Sequence, residues 1–413
     1  VRTGPKLQRE LTDVLTRFRR APIALSGDIS EMFLQVGLNE GDRCYHCFLW
    51  RNLDPTKEPD NYEFRRLLFG NRASPFCSQH VVLTHAQANA TDYPHAAEAV
   101  NNSMYVDDVL DSCETVNETV QLRNELSDLL ALGNFKLRKW SSNSPEVLED
   151  VPVEDRLQSL EIREAEDSPK FKTLGVLWDA ENDVFTFCIQ PPDPAMELTK
   201  RNVLSTIATI FDPLQFLAPF TIRAKVLMQE IWKAGVGWDN ILPDDLISKW
   251  NKWCSELRQL SNIVVPRCLR LPNPSRKSLH VFSDASKQAY GAVAYLVCQY
   301  PDNTSSSRIV ASKSRVAPTK TVTIPRLELM GAVIATRLAK NITKTIEVER
   351  IIFWSDSTNV LYWIRNESRE FKPFVANRIG EIHRSTNPEQ WRHIPGDINP
   401  ADLLTRGLTA TDL

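Results

Sequence analysis

No stretch of the sequence stays apolar for the ~18 residues that a bilayer crossing needs, so no transmembrane helix is expected. The opening Val1-Arg2-Thr3-Gly4 has no secretory-signal pattern, and a soluble chain is expected. Cysteine is sparse and scattered, eight residues at positions 44, 47, 77, 113, 188, 254, 268 and 298. That is no disulfide framework, and it suits a reducing compartment. Cys44-Tyr45-His46-Cys47 has no second pair at a finger-like distance, so a strand ending in Phe48-Leu49-Trp50 is a better reading than a zinc site. A charge of one sign is missing too. The net charge of −3 lends no support to nucleic-acid binding through bulk charge. Basic residues gather locally instead: Arg17, Arg19, Arg20; Arg65, Arg66, Arg72; Lys136, Arg138, Lys139; Lys200, Arg201; and Lys313, Arg315, Lys320. Where such a group lies near phosphate-handling carboxylates it can contact backbone phosphates; elsewhere it is a solvated face.

What is present is a chain of 413 residues, 42% hydrophobic, enough for about two to four domains with real cores. The stretch that most needs a reason is Asn102-Ser103-Met104-Tyr105-Val106-Asp107-Asp108-Val109-Leu110-Asp111. Apolar and β-branched residues lead up to two adjacent carboxylates and resume behind them, the pattern of a strand, a tight turn and a returning strand. Neighbouring acids repel unless a cation sits between them. The pair Asp244-Asp245, after Pro243, lacks such flanks and reads as the start of a helix with Leu246, Trp250, Trp253, Leu257 and Leu260 on its apolar side. Upstream, Ile23 to Phe33 reads as a strand that delivers Asp28 at its end. Roughly 80 residues separate Asp28 from the pair, so the acids can meet only across a sheet. Three converging carboxylates make sense as a cage for two divalent cations, magnesium or manganese, whose preference is for hard oxygen ligands.

The remaining pattern alternates helix and strand. Leu7, Leu11, Val14, Leu15 and Phe18 have helical spacing, as does Val116 to Leu132, closed by Gly133. Ser74-Pro75 reads as a helix cap and first turn. Pro145 to Pro169 is acidic and irregular, and Phe171–Trp178 and Val184–Phe187 read as two strands joined at Glu181-Asn182-Asp183. From Thr199 to Leu271 the pattern is helical, interrupted at Asp212-Pro213, and Pro272-Asn273-Pro274-Ser275 reads as a linker. Beyond it, strands at Leu279–Ser286, Gly291–Val297, Arg308–Ser312 and Ile351–Asp356 surround a helix that begins at Pro325-Arg326-Leu327-Glu328. A second helix runs from Ser357 to Arg365, and Trp391 to Gly396 leads through Asn399-Pro400-Ala401-Asp402 into a last one.

Tyr105-Val106-Asp107-Asp108 resembles the hallmark of reverse transcriptases. That resemblance makes Asp28, Asp107 and Asp108 the catalytic, metal-binding acids, with the carbonyl of Ile29 as a further ligand. It makes Phe33 a steric gate under the sugar that favours deoxynucleotides. Leu67 to Phe76, with Phe69 and Gly70, becomes the second palm motif, where the glycine lets the backbone approach template and nucleotide. Leu174-Gly175 becomes the primer grip, and Lys139 is offered as a general acid facing the leaving pyrophosphate. Leu68 stands where Pro is usual, and Phe69 where vertebrate retroviruses tend to have Gln. Phe48 to Arg51, Asn134 to Asn143 and Thr199 to Leu214 resemble the BEL/Pao family of LTR retrotransposons, with Gln215 where Gly is typical. Asp284, Glu328, Asp356 and Asp402, set in Asp-Ala-Ser, Pro-Arg-Leu-Glu-Leu, Ser-Asp-Ser and Asn-Pro-Ala-Asp, resemble ribonuclease H. By that resemblance the four acids are catalytic and hold two magnesium ions. The loop before Asp402 is short and His393 precedes it, so the loop-histidine role is not transferred.

The implied architecture is an α+β to α/β multidomain chain. It comprises a right-hand polymerase palm with partial fingers over 1–192, a helical thumb and connection over 193–274, and a ribonuclease H-like mixed five-stranded sheet with helices over 275–410. The implied activity is RNA-directed DNA synthesis with degradation of the RNA strand of hybrids. Its partners would be RNA template, DNA primer, RNA/DNA hybrid, deoxynucleoside triphosphates and other Pol segments such as protease and integrase. The implied location is the cytoplasm, in a virus-like particle, with nuclear entry. The sequence shows no Asp-Thr-Gly protease motif and no His-His-Cys-Cys integrase finger, and the outer fingers are missing at Val1, so a fragment of a polyprotein is expected. The alternatives are a decayed or co-opted copy that binds nucleic acid without turnover, and a nuclease on an inactive polymerase platform.

Overall fold

The computed structural model describes residues 3–157, 170–173 and 176–413. It falls into two compact units, Val1–Ala165 and Glu166–Leu413. The mixed α/β character expected from the sequence is borne out, with four sheets among the described residues. Among those residues no helix is long and apolar enough to cross a membrane.

The first unit opens with helix α1 (Leu11–Phe18), which buries Val14, Leu15 and Phe18. Strand β1 (Ile23–Ile29), the short helices α2 (Met32–Gln35) and α3 (Glu40–Arg43), and the strands β2 (Cys47–Trp50) and β3 (Asp60–Glu63) follow. Next come α4 (Ser74–Ala88), α5 (Pro94–Asn102), β4 (Met104–Tyr105), β5 (Asp108–Cys113), α6 (Val116–Leu132) and β6 (Leu137–Ser142). The central sheet has the order β4-β5-β1-β6, and every neighbouring pair is antiparallel. Helix α6 forms where the sequence places it because each end is specified. Thr115 and Glu118 close a reciprocal capping box at its start, and Gly133 follows its last residue. Leu122, Leu126, Leu129 and Leu130 recur at helical spacing and lie buried in the unit's core with Val109, Leu137 and Trp140. Ser74 proves to be the first residue inside α4 rather than its cap. The cap position belongs to Ala73, with Pro75 in the first turn.

The second unit holds β7 (Lys170–Thr173), β8 (Val176–Asp179), β9 (Val184–Thr186), α7 (Lys200–Ala208), α8 (Ala218–Lys233), α9 (Asp244–Ser255) and β10 (Val264–Pro266). The expected strand Phe171–Trp178 is two strands, β7 and β8, paired antiparallel. The helical reading of 199–271 is also corrected. β10 is an edge strand on β9, where two β-branched residues suit a pleated surface and Pro266 ends the pairing. Arg267, wholly buried, clamps this edge by donating to both oxygens of Asp183. Asp244 and Asp245 sit in the first turn of α9, the unremarkable place that their flanks suggested.

The chain then forms β11 (Arg276–Ala285), β12 (Ala289–Gln299), β13 (Ser305–Val316), α10 (Ile324–Ile342), β14 (Arg350–Ser355), α11 (Thr358–Arg365), α12 (Pro373–His383), β15 (Trp391–His393) and α13 (Asp402–Arg406). The sheet order is β13-β12-β11-β14-β15. The pairs β13–β12 and β12–β11 are antiparallel, while β14 is parallel to both β11 and β15. Leu279, Val281, Ala292, Ala294 and Phe353 pack one face of this sheet against Leu327, Ala332 and Ala335 of α10. Helix α12 has no counterpart in the sequence reading, although Val375, Ile379 and Ile382, at helical spacing, are its buried residues.

Candidate active sites

The first candidate site is built at the end of β1. In the antiparallel pair β1–β5, Asp28 lies directly opposite Asp108. Tyr105 pairs with Asp108 across β4 and β5, so Val106 and Asp107 form a two-residue turn between the strands. Val106 takes φ +61°, a left-handed conformation that is costly for a β-branched residue. The turn is over-determined by its surroundings, because the carbonyl of Asp107 accepts the N–H of Ile29 at 2.9 Å. Asp111 anchors the hairpin further back. Its buried carboxylate accepts from Ser103 Oγ at 2.9 Å, the Ser112 N–H at 2.8 Å and Arg20 at 3.2 Å.

Burial, with Asp107 and Asp28 alongside, pushes the Asp108 carboxyl up to about 7. Burial and Asp28 also hold Asp107 above the usual carboxylate range, and Lys139 works against both shifts. Lys139 reaches Asp28 Oδ2 at 3.2 Å. It does so from a bulge: β6 shifts register against β1 between Ser26 and Asp28, and Lys139 sits there at φ +54°. Gly27 faces the ring of Trp140 so closely that a Cβ would lie 3.0 Å from it. Lys136 and Arg138, the other cations of that run, pair with Asp155 at 2.8 and 3.4 Å. Lys139 is therefore placed as the counter-ion of Asp28.

Phe33 on α2 and Phe69 meet edge to face, with centroids 5.1 Å apart. Phe69 is 67% exposed, and Gly70 takes φ +85°, which only glycine adopts without strain. Leu174 and Gly175, read as a primer grip, lie outside the described residues.

The second candidate site sits at the ends of two parallel strands. Ser283 pairs with Ser355, so the residues that follow, Asp284 and Asp356, stand side by side at the carboxyl ends of β11 and β14. Glu328 comes from the start of α10 and accepts from Ser357 Oγ; Ser357 also caps α11. Asp284 accepts from Thr405 Oγ1 at 2.5 Å, and Asp402 opens α13, paired with Arg406 at 2.7 Å. Burial, reinforced by the neighbouring acids, raises Asp284, Glu328 and Asp356 above their ordinary values. Two glycines make room: a Cβ on Gly331 would meet the Asp284 carbonyl at 2.9 Å, and one on Gly396 would meet Asp356 Oδ2 at 3.1 Å. Asn399 and Ser357 lie within the sequence motifs, which assign them no role, and no motif contains Thr405. Asn399 fixes the last loop to β11 by donating to the Ser283 carbonyl at 3.1 Å.

Among the described residues no group of three or more His, Cys, Asp or Glu is arranged to hold a metal ion. The donor chemistry nevertheless suits hard divalent cations. Both sites offer carboxylate oxygens that raise one another's proton affinity, and Asp356 Oδ1 is buried with no hydrogen-bond partner.

Residues 199–357 match the family model described as the Pao retrotransposon-like RNaseH-like domain. The resemblance to Pao elements is borne out over that span. Comparison with curated proteins finds no match. Among solved structures, a foamy viral protease-reverse transcriptase dRH in complex with double-stranded DNA is similar at 15% identity and TM-score 0.58, over 96% of this chain and 60% of that one. A foamy viral protease-reverse transcriptase in complex with RNA/DNA hybrid is similar at 14% identity and TM-score 0.57, over 97% of this chain and 47% of that one. The chain thus shares the fold of these foamy viral protease-reverse transcriptases, and spans about half to three-fifths of their length.

Proposed function

We propose that this chain is part of a retrotransposon reverse transcriptase with an attached ribonuclease H, acting on RNA template, DNA primer and RNA/DNA hybrid. The observation that carries the reading is the convergence of Asp28, Asp107 and Asp108 across β1 and β5, with an independent gathering of acids at the ends of β11 and β14. In this reading 1–192 is palm with partial fingers, 193–274 thumb and connection, and 275–410 the nuclease. The similar foamy viral proteins were solved with double-stranded DNA and RNA/DNA hybrid, which supports duplex as the ligand.

Asp28, Asp107 and Asp108, with the Ile29 carbonyl, would hold one pair of magnesium or manganese ions, and Asp284, Glu328, Asp356 and Asp402 the other. Bound there, the cations supply activation of the attacking oxygen and neutralisation of charge on the phosphate. The chain's own groups do the rest. Phe33, braced by Phe69, forms a wall against the sugar and rejects a 2′ hydroxyl. Gly70 lets the backbone approach the incoming deoxynucleoside triphosphate. Lys139 holds Asp28 directed into the cluster, and Ser357 and Thr405 orient Glu328 and Asp284. Synthesis would take place in a cytoplasmic particle before the DNA enters the nucleus, alongside protease and integrase segments of the same polyprotein.

Primer extension and hybrid cleavage, each with magnesium, test the reading. Asp107→Asn is expected to abolish extension and spare cleavage, and Asp356→Asn to do the reverse. Loss of both activities from either substitution in a folded protein would contradict two separate sites, and duplex binding without any turnover would favour a co-opted scaffold.

A further inference from the structure

Between β9 and α7 the chain runs as a strap alongside α9, and both ends of the strap are tied to segments that flank that helix. It leaves β9, which pairs with β10 beyond α9. It ends just ahead of α9, where the Leu242 N–H donates to the Leu198 carbonyl at 2.9 Å and Thr199 bridges to Ile241. Pro191, Pro192 and Pro194 fix the backbone in between and take away three of its N–H donors. Among the described residues no hydrogen bond joins the strap to α9. A cavity of about 410 Å³ lies between them, a size within the ~300–1,000 Å³ of small-molecule sites.

The helix side of the cavity is a stripe of Trp250, Asn251, Cys254, Ser255 and Arg258, spaced as one face of α9 and the turn that follows it. Trp250 is wholly buried, yet its indole N–H has no hydrogen-bond partner. The neighbouring Trp253 donates its own to the Phe220 carbonyl. An unpaired buried donor is costly, and an indole N–H can only donate, so whatever satisfies it must bring an acceptor. Arg258, two helical turns on and about 12 Å further along the axis, is exposed with no carboxylate partner among the described residues. The acid on the cavity wall, Asp193, already accepts the Ala195 N–H at 2.8 Å. Burial pushes the Cys254 thiol up to about 12, so it stays neutral and joins Met196 and Leu198 as apolar wall. The wall is braced from behind, because Trp250 stacks on Trp253 at 5.0 Å and Trp253 on Phe220 of α8 at 4.9 Å.

We infer that this cavity binds a small, elongated amphipathic acid. An acceptor at one end of the ligand takes the Trp250 N–H, its apolar body lies under the strap prolines, and a carboxylate at the other end pairs with Arg258. The site is separate from both acid clusters, and the inference stands apart from the polymerase and nuclease readings. The prolines hold the strap in place before any ligand arrives, so little ordering opposes binding.

The test titrates the full chain, isotope-labelled at its indole nitrogens, with a naphthoate that carries a hydroxyl at the end opposite its carboxylate. One indole N–H resonance, assigned by its loss in Trp250→Phe, is expected to move downfield as it gains an acceptor. Exchanging the carboxylate for a hydroxymethyl group should weaken binding about tenfold, the loss of one charge-assisted hydrogen bond. Arg258→Gln should cost the acid the same factor and leave the alcohol unaffected. In the unsubstituted chain the acid should slow maleimide alkylation of Cys254 and not that of the exposed Cys44, a readout that needs no variant to fold. An indole resonance unmoved at saturation, equal affinity for acid and alcohol, or an unprotected Cys254 would overturn the site. Shifts spread over many indoles would overturn it in favour of non-specific adsorption.

Discussion

At the scale of single residues, the first site stores electrostatic cost. An acid whose folded-state pKa is raised holds its proton more tightly than the unfolded chain does. Asp108 therefore favours folding at low pH, and that contribution is lost as pH climbs from the ordinary carboxylate value of 3.8 toward about 7. Asp108→Asn removes the penalty. Thermal unfolding in EDTA should show the variant more stable than the parent at pH 8, with the gap closing near pH 4. Magnesium should narrow the gap at pH 8, and a difference independent of pH would refute the account. Gly27 presents a steric counterpart. A methyl there would press on the buried ring of Trp140, so Gly27→Ala should cost about 1–3 kcal/mol in denaturant unfolding. The acids were legible in the sequence because carboxylates flanked by apolar strands are conspicuous. Gly27, Ser357 and Thr405 were not, because what each of them touches lies far away along the chain. The same holds for Lys139. Its charge was visible, but its direction toward Asp28 comes from a bulge that local sequence does not announce.

At the scale of elements, legibility follows how locally an element is specified. Helix α6 spans the residues its pattern delimits, since cap, apolar stripe and terminating glycine all lie within it or beside it. Thr115→Ala should destabilise the first unit by about 1 kcal/mol, measured by urea unfolding, and Thr115→Ser should restore most of the loss. β10 stands at the other extreme. Three residues cannot show a period, and they become a strand only because β9 offers an edge and Arg267 reaches Asp183. The division of Phe171–Trp178 into β7 and β8 is equally hidden, because β-rich composition marks a strand but not where it reverses. The glutamine expected to be unusual at position 215 has a positional reason. It takes φ +57°, its carbonyl accepts from Ser312 Oγ at 2.6 Å, and its side-chain oxygen accepts from the Ser314 N–H at 3.2 Å, so it occupies the outer edge of β13.

At the scale of the whole second unit, those edge bonds tie the segment before α8 to the nuclease-like sheet, and the Pao family match likewise begins before the first strand of that sheet, at residue 199. That sheet has two faces to cover, and α10 covers one. On the other, Ala218 from the start of α8 packs with Val293, Ala401 and Leu404, and with Phe282, Tyr295 and Ile309. Polar ties reinforce the layer: Arg223 of α8 donates to both oxygens of Glu256 and to the Leu408 carbonyl, and Glu256 accepts from the Ala410 N–H. Asp284 and Asp402 lie at the border of this covered face, so the layer that shields the apolar residues also steadies α13 and the acid that begins it. A fragment comprising 275–413 would present Phe282, Val293, Tyr295 and Ile309 to water and leave β13 with an open edge. It should elute as aggregate in size-exclusion chromatography and lose hybrid cleavage, whereas 166–413 should remain monodisperse and keep it. Equal solubility and cleavage by the two fragments would show that α8 is dispensable and that the second face of the sheet can close without it.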